Sequence, residues 1–203
     1  MTSVPIKLPE YIPFKFETPR LEIRALHPDD AVAYDAAIRE SYAELQLWIP
    51  WANNKPEPFT LEETRQRAAD SYEKFVKAEV FNFTFFEKST GLILGGLNLF
   101  CHDWRIPHFE IGYWQRTKAY GKGYVSESAL ALSKLAFEKY GANRVQLRCD
   151  PMNVKSCAVP ERLGYLIEGE LRQAYFGHLG RLCDTRMYAR LNGDGLPPLE
   201  VKW

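Results

Sequence analysis

The strongest constraint in this chain is a strand that runs into a glycine turn and out into a helix. Glu110-Ile111-Gly112-Tyr113-Trp114-Gln115 is an extended run short of charge, Tyr120-Gly121-Lys122-Gly123 is a turn, and Tyr124-Val125-Ser126 opens a helix. Val125, Ala129, Leu132 and Ala136 continue that helix as one apolar stripe, and Gly141 suits its end. Glycines ahead of a helix start leave unpaired amides pointing outward and let an anion approach the backbone. The unit is therefore either an anion cradle or an ordinary tight strand-to-helix turn. It is not a Walker loop, because no Gly-x-x-x-x-Gly-Lys-Ser/Thr is present. Nor is it a dinucleotide fingerprint, because Ser126 stands where the third glycine belongs.

The remaining pattern predicts a mixed α/β domain. Arg20–Leu26 alternates like a half-buried strand, and His27-Pro28-Asp29-Asp30 starts a helix to about Tyr42. Thr60-Leu61-Glu62-Glu63 is a capping box opening a helix to about Val76. Strands are expected at Val80–Glu87, Leu92–Phe100, Phe109–Gln115, Arg144–Asp150, Tyr165–Phe176 and Leu182–Leu191, with a short helix over Asn153–Leu163. Prolines at 5, 9, 13 and 19 and at 197 and 198 mark tails, so the domain is expected over 18–191, with an extension at 1–17 and a tail at 192–203 outside the core.

Lys+Arg 26 against Asp+Glu 26 removes the electrostatic footprint of a protein that grips nucleic acid or an anionic membrane. No run is apolar enough for a bilayer span and the N-terminus lacks a signal-peptide layout, so a soluble cytoplasmic protein is expected. Cys101, Cys149, Cys157 and Cys183 form no Cys-x-x-Cys pair and read as reduced, packed thiols. His27, His102, His108 and His178 lack ligand spacing, so no metal is expected.

Several ordered pieces together resemble the GNAT N-acetyltransferases, and most closely the RimJ/RimL-like branch that acetylates the N-termini of ribosomal proteins. They are Thr18-Pro19-Arg20-Leu21 with Ile23-Arg24, the Trp48–Trp51 loop, Ile111-Gly112-Tyr113-Trp114, the glycine turn, Asn143-Arg144-Val145, Asn153-x-x-Ser156 and Arg162-Leu163-Gly164-Tyr165. The resemblance implies a central, mostly antiparallel sheet, splayed at the cofactor site and flanked by helices. It implies acetyl-CoA as donor, its pyrophosphate on the amides of Tyr120, Gly121, Lys122, Gly123, Tyr124, Val125 and Ser126, and its pantetheine arm along Tyr113, Trp114 and Gln115. Asn153 is implied to touch the same arm, although its type also suits a helix cap. Tyr120 and Val125 depart from the commonest residues at their positions. Many family members carry a proton-donating Tyr seven residues after the Asn, where this chain has Pro160. Ser156, or a water, is then the expected proton donor to the leaving thiolate; Ser156 equally suits a helix first turn.

Direct attack on a thioester needs a neutral amine, hence a base near it. Glu110 is the carboxylate best placed for that, at the head of a charge-poor strand; the same residue also suits a sheet face, paired with a basic neighbour. Trp48 and Trp51 bracket Pro50 in a stiff apolar loop that fits one wall of an acceptor groove, and packing of Trp48 on the core fits as well. The expected function is acetyl transfer to a primary amine, with the N-terminal α-amino group of a protein or peptide ahead of a small amine such as an antibiotic, polyamine or amino-acid derivative. A silent CoA-binding module is the alternative of another class. Neutral charge disfavours a strongly basic protein partner. A homodimer is compatible with the aromatic surplus, and no motif demonstrates one.

Overall fold

The computed structural model describes residues 12–53 and 55–203; Pro5, Pro9, most of the expected N-terminal extension and Asn54 lie outside them. The elements are β1 (Lys15–Glu17), β2 (Leu21–Ala25), α1 (Ala31–Trp48, entered through the 3-10 turn Pro28–Asp30), α2 (Pro50–Asn53), α3 (Leu61–Val76), β3 (Phe81–Glu87), β4 (Ile93–Asp103), β5 (His108–Gln115), α4 (Tyr124–Lys134), β6 (Arg144–Cys149), α5 (Val154–Arg162), β7 (Leu166–Phe176) and β8 (Leu182–Arg190). One sheet holds the strands in the order β1-β2-β3-β4-β5-β6-β8-β7, and every neighbour is antiparallel except β5 and β6.

Local chemistry sets the helix starts. The Thr60 hydroxyl accepts from the Glu63 amide while Glu63 accepts from the Thr60 amide, so the capping box forms in full. Asn153 Oδ1 accepts from the Ser156 amide at 3.0 Å and caps α5. The apolar stripe is buried at Val125, Ala129 and Leu132 of α4 and at Ala136 in the π-helical turn Leu135–Lys139 that follows, against Leu21, Ile23, Leu97, Phe109 and Val145 of the sheet. A second cluster joins Ile38, Tyr42 and Leu45 of α1 to Phe86, Ile93 and Trp114.

Two boundaries differ from the sequence reading. α1 does not stop near Tyr42 but runs to Trp48, because Leu45 continues the buried stripe of Ile38 and Tyr42; the tryptophan "loop" is thus a helix end followed by the single turn α2. The C-terminal segment 192–203 is also not a free tail, and Phe16 and Glu17 of the expected extension belong to the fold. Glu17 and Lys202 exchange two backbone hydrogen bonds of 2.9 Å, the Trp203 ring lies 5.4 Å from that of Phe16, and Leu196, Leu199 and Val201 pack against the main core.

Candidate active site

β5 and β6 pair only at His108↔Arg144, Phe109↔Val145 and Glu110↔Gln146. Beyond Glu110 they part, β5 staying on β4 as far as Gln115 and β6 staying on β8 as far as Cys149. A cleft of about 1530 Å³ opens in the resulting V. Tyr113, Trp114, Gln115, Tyr120, Gly121, Gly123, Val125, Ser126, Asn153 and Ser156 all line it, as do Glu110, Trp48 and Trp51.

Gly121 and Gly123 hold φ of 76° and 77°, the left-handed region that a side chain strains. Space is not the reason for glycine: a Cβ at Gly121 would meet nothing within 4 Å, and one at Gly123 only Arg20 Nη2 at 3.6 Å. The conformation is what turns the amides of 121–126 outward, where none donates to a protein acceptor among the described residues. Gln115 Nε2 fixes the approach to this turn by donating to the Ala119 carbonyl at 2.6 Å. Burial pushes the Tyr120 hydroxyl up to about 12, and the Lys155 ammonium sits 4.8 Å over its ring.

Glu110 stands at the vertex of the V. Gln146 Nε2 donates to it at 2.8 Å, Arg148 Nε at 2.9 Å, and His102 Nε2 lies 3.1 Å away. His108 Nε2 lies 2.9 Å from Gln146 Oε1 and so holds the glutamine with its amide toward Glu110. Burial acts to raise the Glu110 pKa, but the bonds from Gln146 and Arg148, the Arg148 charge and the His102 contact outweigh it, so the carboxyl is held below its ordinary value.

The wall opposite is α5. Pro160 lies inside this helix and has no amide hydrogen, which leaves the Ser156 carbonyl four residues back without its helical donor. The Tyr113 hydroxyl, reaching across from β5, donates to that carbonyl at 2.9 Å and lies 3.3 Å from Ser156 Oγ. Ser156 Oγ in turn donates to Cys149 Sγ at 3.2 Å. Burial pushes the Tyr113 phenol well above its ordinary value; contact with Cys157 and burial both push up the Cys149 thiol. Both groups therefore keep their protons at neutral pH.

The cleft continues between two further walls. Trp48, Ile49, Pro50, Trp51 and Phe59 form one, and Leu171, Tyr175 and Phe176 of the β7–β8 hairpin form the other. His178 Nδ1 lies 3.2 Å from the Asn53 carbonyl, linking the hairpin turn to α2. Asp150 lies between them, bonded by the Tyr175 hydroxyl at 3.1 Å and by Arg181 Nη2 at 3.2 Å.

The sequence pattern of the GNAT acetyltransferase domain matches residues 20–166, most of the chain and the whole of the splayed region. This chain belongs to the GNAT acetyltransferase family. Among its relatives, the Bacillus subtilis protein named "Putative ribosomal N-acetyltransferase YdaF" is 31% identical over 161 residues, covering 77% of this chain and 83% of that one. A solved GNAT-family acetyltransferase from Bacillus anthracis superposes with a TM-score of 0.73 at 26% identity, over 87% of this chain and 98% of that one. RimL, a ribosomal L7/L12 α-N-protein acetyltransferase solved with coenzyme A, shares the fold with a TM-score of 0.78 at 23% identity, over 94% and 98% of the two chains.

The protein is thus an acetyl-CoA-dependent N-acetyltransferase, and the residues present fit that donor. Six outward amides at 121–126 and the free edge of β5 match an anionic pyrophosphate and an amide-bearing arm in chemical type. Two of the sequence candidates stand apart from the cleft. Lys122 does not line it, and its carbonyl accepts from Arg20 Nη1 at 2.9 Å; the Tyr124 side chain is buried and its hydroxyl donates to Glu87. Lys118, just ahead of the glycine turn, pairs with Glu40 at 3.2 Å. The cations that do line this acetyltransferase's cleft near the turn are Lys155 and Arg162, the latter donating to Ser126 Oγ at 2.7 Å. Sequence reasoning also missed Gln146 and Arg148 around Glu110, because both come from another strand; His102, which flanks the Glu110 strand in sequence and reads there as a loop residue, lies on β4 against that carboxylate. Among the described residues no His, Cys, Asp and Glu cluster able to hold a metal occurs, and no helix is long and apolar enough to cross a membrane.

Proposed function

We propose that this acetyltransferase acts on the N-terminal α-amino group of a protein or peptide. The observation that supports it is the extent of the cleft. Beyond the splayed strands that serve the cofactor, it runs on between the aromatic wall of Trp48, Trp51 and Phe59 and the hairpin wall of Leu171, Tyr175 and Phe176. An extended peptide end needs that length, while a lone small amine does not. The ribosomal-protein substrates in the names of the relatives agree with this reading.

The chain's own groups then have these roles. Gly121, Lys122, Gly123, Tyr124, Val125 and Ser126 present amides to phosphate, with Arg162 and Lys155 adding positive charge, while the Tyr120 amide, expected among them, is instead spent on the Thr117 carbonyl at 3.1 Å. The free β5 edge from Tyr113 to Gln115, with Asn153, aligns the arm. Acetyl-CoA, when bound, supplies a thioester carbonyl for attack by the amine, with the thiol as leaving group. Glu110 takes the ammonium proton, directly or through one water. Ser156 Oγ–H, whose helix turn is fixed by Asn153 and Tyr113, gives its proton to the departing sulfur, and the proton that the adduct nitrogen must lose to become the amide restores the hydroxyl, directly or through water. Trp48 and Trp51 hold the acceptor chain.

The test is thiol release from acetyl-CoA with a panel of peptides with free N-termini, the same peptides N-terminally blocked, and small primary amines. Turnover confined to free peptide N-termini is the expected result. Turnover of lysine side chains or small amines alone overturns the reading.

A further inference from the structure

Next to Glu110 the floor of the cleft is bare. On the face of the sheet that carries Glu110, the following residue of β5 is Gly112, and its partner across the ladder on β4 is Asn98. Asn98 Nδ2 donates to Asn82 Oδ1 at 2.9 Å, and Asn82 Nδ2 donates to Ser71 Oγ at 3.1 Å. This chain of side chains turns the Asn98 amide so that its nitrogen faces Asn82. Its Oδ1 has no partner among the described residues, and it is the nearest atom to the empty space over Gly112, 3.8 Å from where a Cβ would stand. Asn98, Gly112 and Glu110 all line the cleft. An amide oxygen only accepts, and a carboxylate only accepts. Between them the site suits a group with several N–H donors and positive charge, and repels an anion.

We propose that Asn98 Oδ1 binds the reacting nitrogen of the acceptor over Gly112, accepting one N–H of the ammonium while a second N–H faces Glu110. This rests on the reading of Glu110 as the group that takes the proton. Asn98 and Glu110 are diagonal neighbours across the β4–β5 ladder, a placement that sets residues roughly 7–8 Å apart and leaves room for the nitrogen and one water between the two side chains. The proton passes from nitrogen through that water to Glu110 Oε, and no other bond changes. Because Asn98 keeps hold of one remaining N–H, rotation about the C–N bond is restrained and the freed lone pair points into the V. Ser71 and Asn82 are positioning residues that act through Asn98.

Steady-state kinetics with a free peptide N-terminus and with a small primary amine, together with acetyl-CoA binding by titration calorimetry, test this on three variants. Asn98→Leu removes the oxygen and is expected to raise the acceptor KM about tenfold or more, the size of one hydrogen bond to a charged donor, with acetyl-CoA affinity within about twofold. Asn98→Asp keeps an oxygen in place and is expected to stay within about threefold of wild type, since the Asn82 amide can turn to donate to it. Gly112→Ala meets nothing closer than 3.8 Å and lacks a left-handed φ, so it folds, yet its methyl fills the nitrogen's space and raises the acceptor KM by a similar factor. An unchanged acceptor KM in Gly112→Ala or Asn98→Leu overturns the proposal, as does an equal loss of acetyl-CoA affinity. Failure of the peptide reading would instead show as turnover of the small amine alone, and the Asn98 effect is read on whichever amine turns over.

Discussion

Burial of Glu110 favours its neutral form, and the donors around it reverse that preference. The carboxylate is therefore ionised throughout the neutral range and ready to accept a proton from an incoming ammonium. By linkage, a lowered folded pKa stabilises the protein above the ordinary value of 4.5, and this contribution is lost as pH falls through the lowered value. Because the acceptor is taken up as its ammonium and Glu110 is already ionised, kcat/KM is expected to show no acid limb near neutrality, whichever amine is the acceptor; a limb near neutrality that moved with the amine's own pKa would mean that only the neutral amine binds. Glu110→Gln is expected to keep acetyl-CoA binding and to lower kcat about a hundredfold at pH 7. The deficit shrinks above about pH 8, where an α-amine already arrives neutral. A gap of constant size from pH 7 to 9.5 would count against Glu110 as the proton acceptor. Glu110 itself was legible in the sequence as the lone carboxylate of a charge-poor strand. Gln146, Arg148 and Asn98 were not, because the sheet register alone brings them beside it.

At the scale of elements, α5 shows one strand and one helix completing each other. Pro160 withdraws the donor for the Ser156 carbonyl, and Tyr113 of β5 supplies it from across the cleft. Tyr113→Phe is expected to cost about 1–2 kcal/mol by leaving that carbonyl unpaired. Pro160→Ala restores a backbone amide, so in that background the same change costs about 1 kcal/mol less. Urea denaturation of the four proteins of this cycle measures the coupling. Costs that add within about 0.3 kcal/mol would mean that the phenol and the proline act independently. The missing tyrosine at 160 was visible in the sequence; that a tyrosine from β5 stands against the same turn was not, since the contact spans 43 residues. Elements with local signals were legible: the Thr60 capping box, the Asn153 cap, the α4 stripe. β1 was not, being only Lys15–Glu17, too short to show alternation.

Over the whole molecule, the balance of 26 basic and 26 acidic residues averages unlike places. Lys155 and Arg162 line the cofactor end of the cleft, while Glu110, Asp150 and Asp70 line other parts of it, so the net charge says little about which acceptor docks. The closure of the chain on itself was equally hidden from composition. Lys202 pairs with Glu17, Trp203 packs on Phe16, and the Lys139 ammonium lies 5.4 Å over the Trp203 ring, contacts between ends that no periodicity reports. This seam closes the β1 edge of the sheet, and no residue of 192–203 lines the cleft. Its contacts are with the core and the β1 edge, so its effect is expected on stability. Trp203→Ala removes a half-buried ring and is expected to cost roughly 2 kcal/mol, less than a fully buried tryptophan would. For a domain of this size that is a fall of about 4–8 °C in Tm, read by calorimetry. The KM values for acetyl-CoA and acceptor, taken below the new melting range, stay at wild-type levels. A raised KM without a lower Tm would show that the C-terminal seam reaches the site after all.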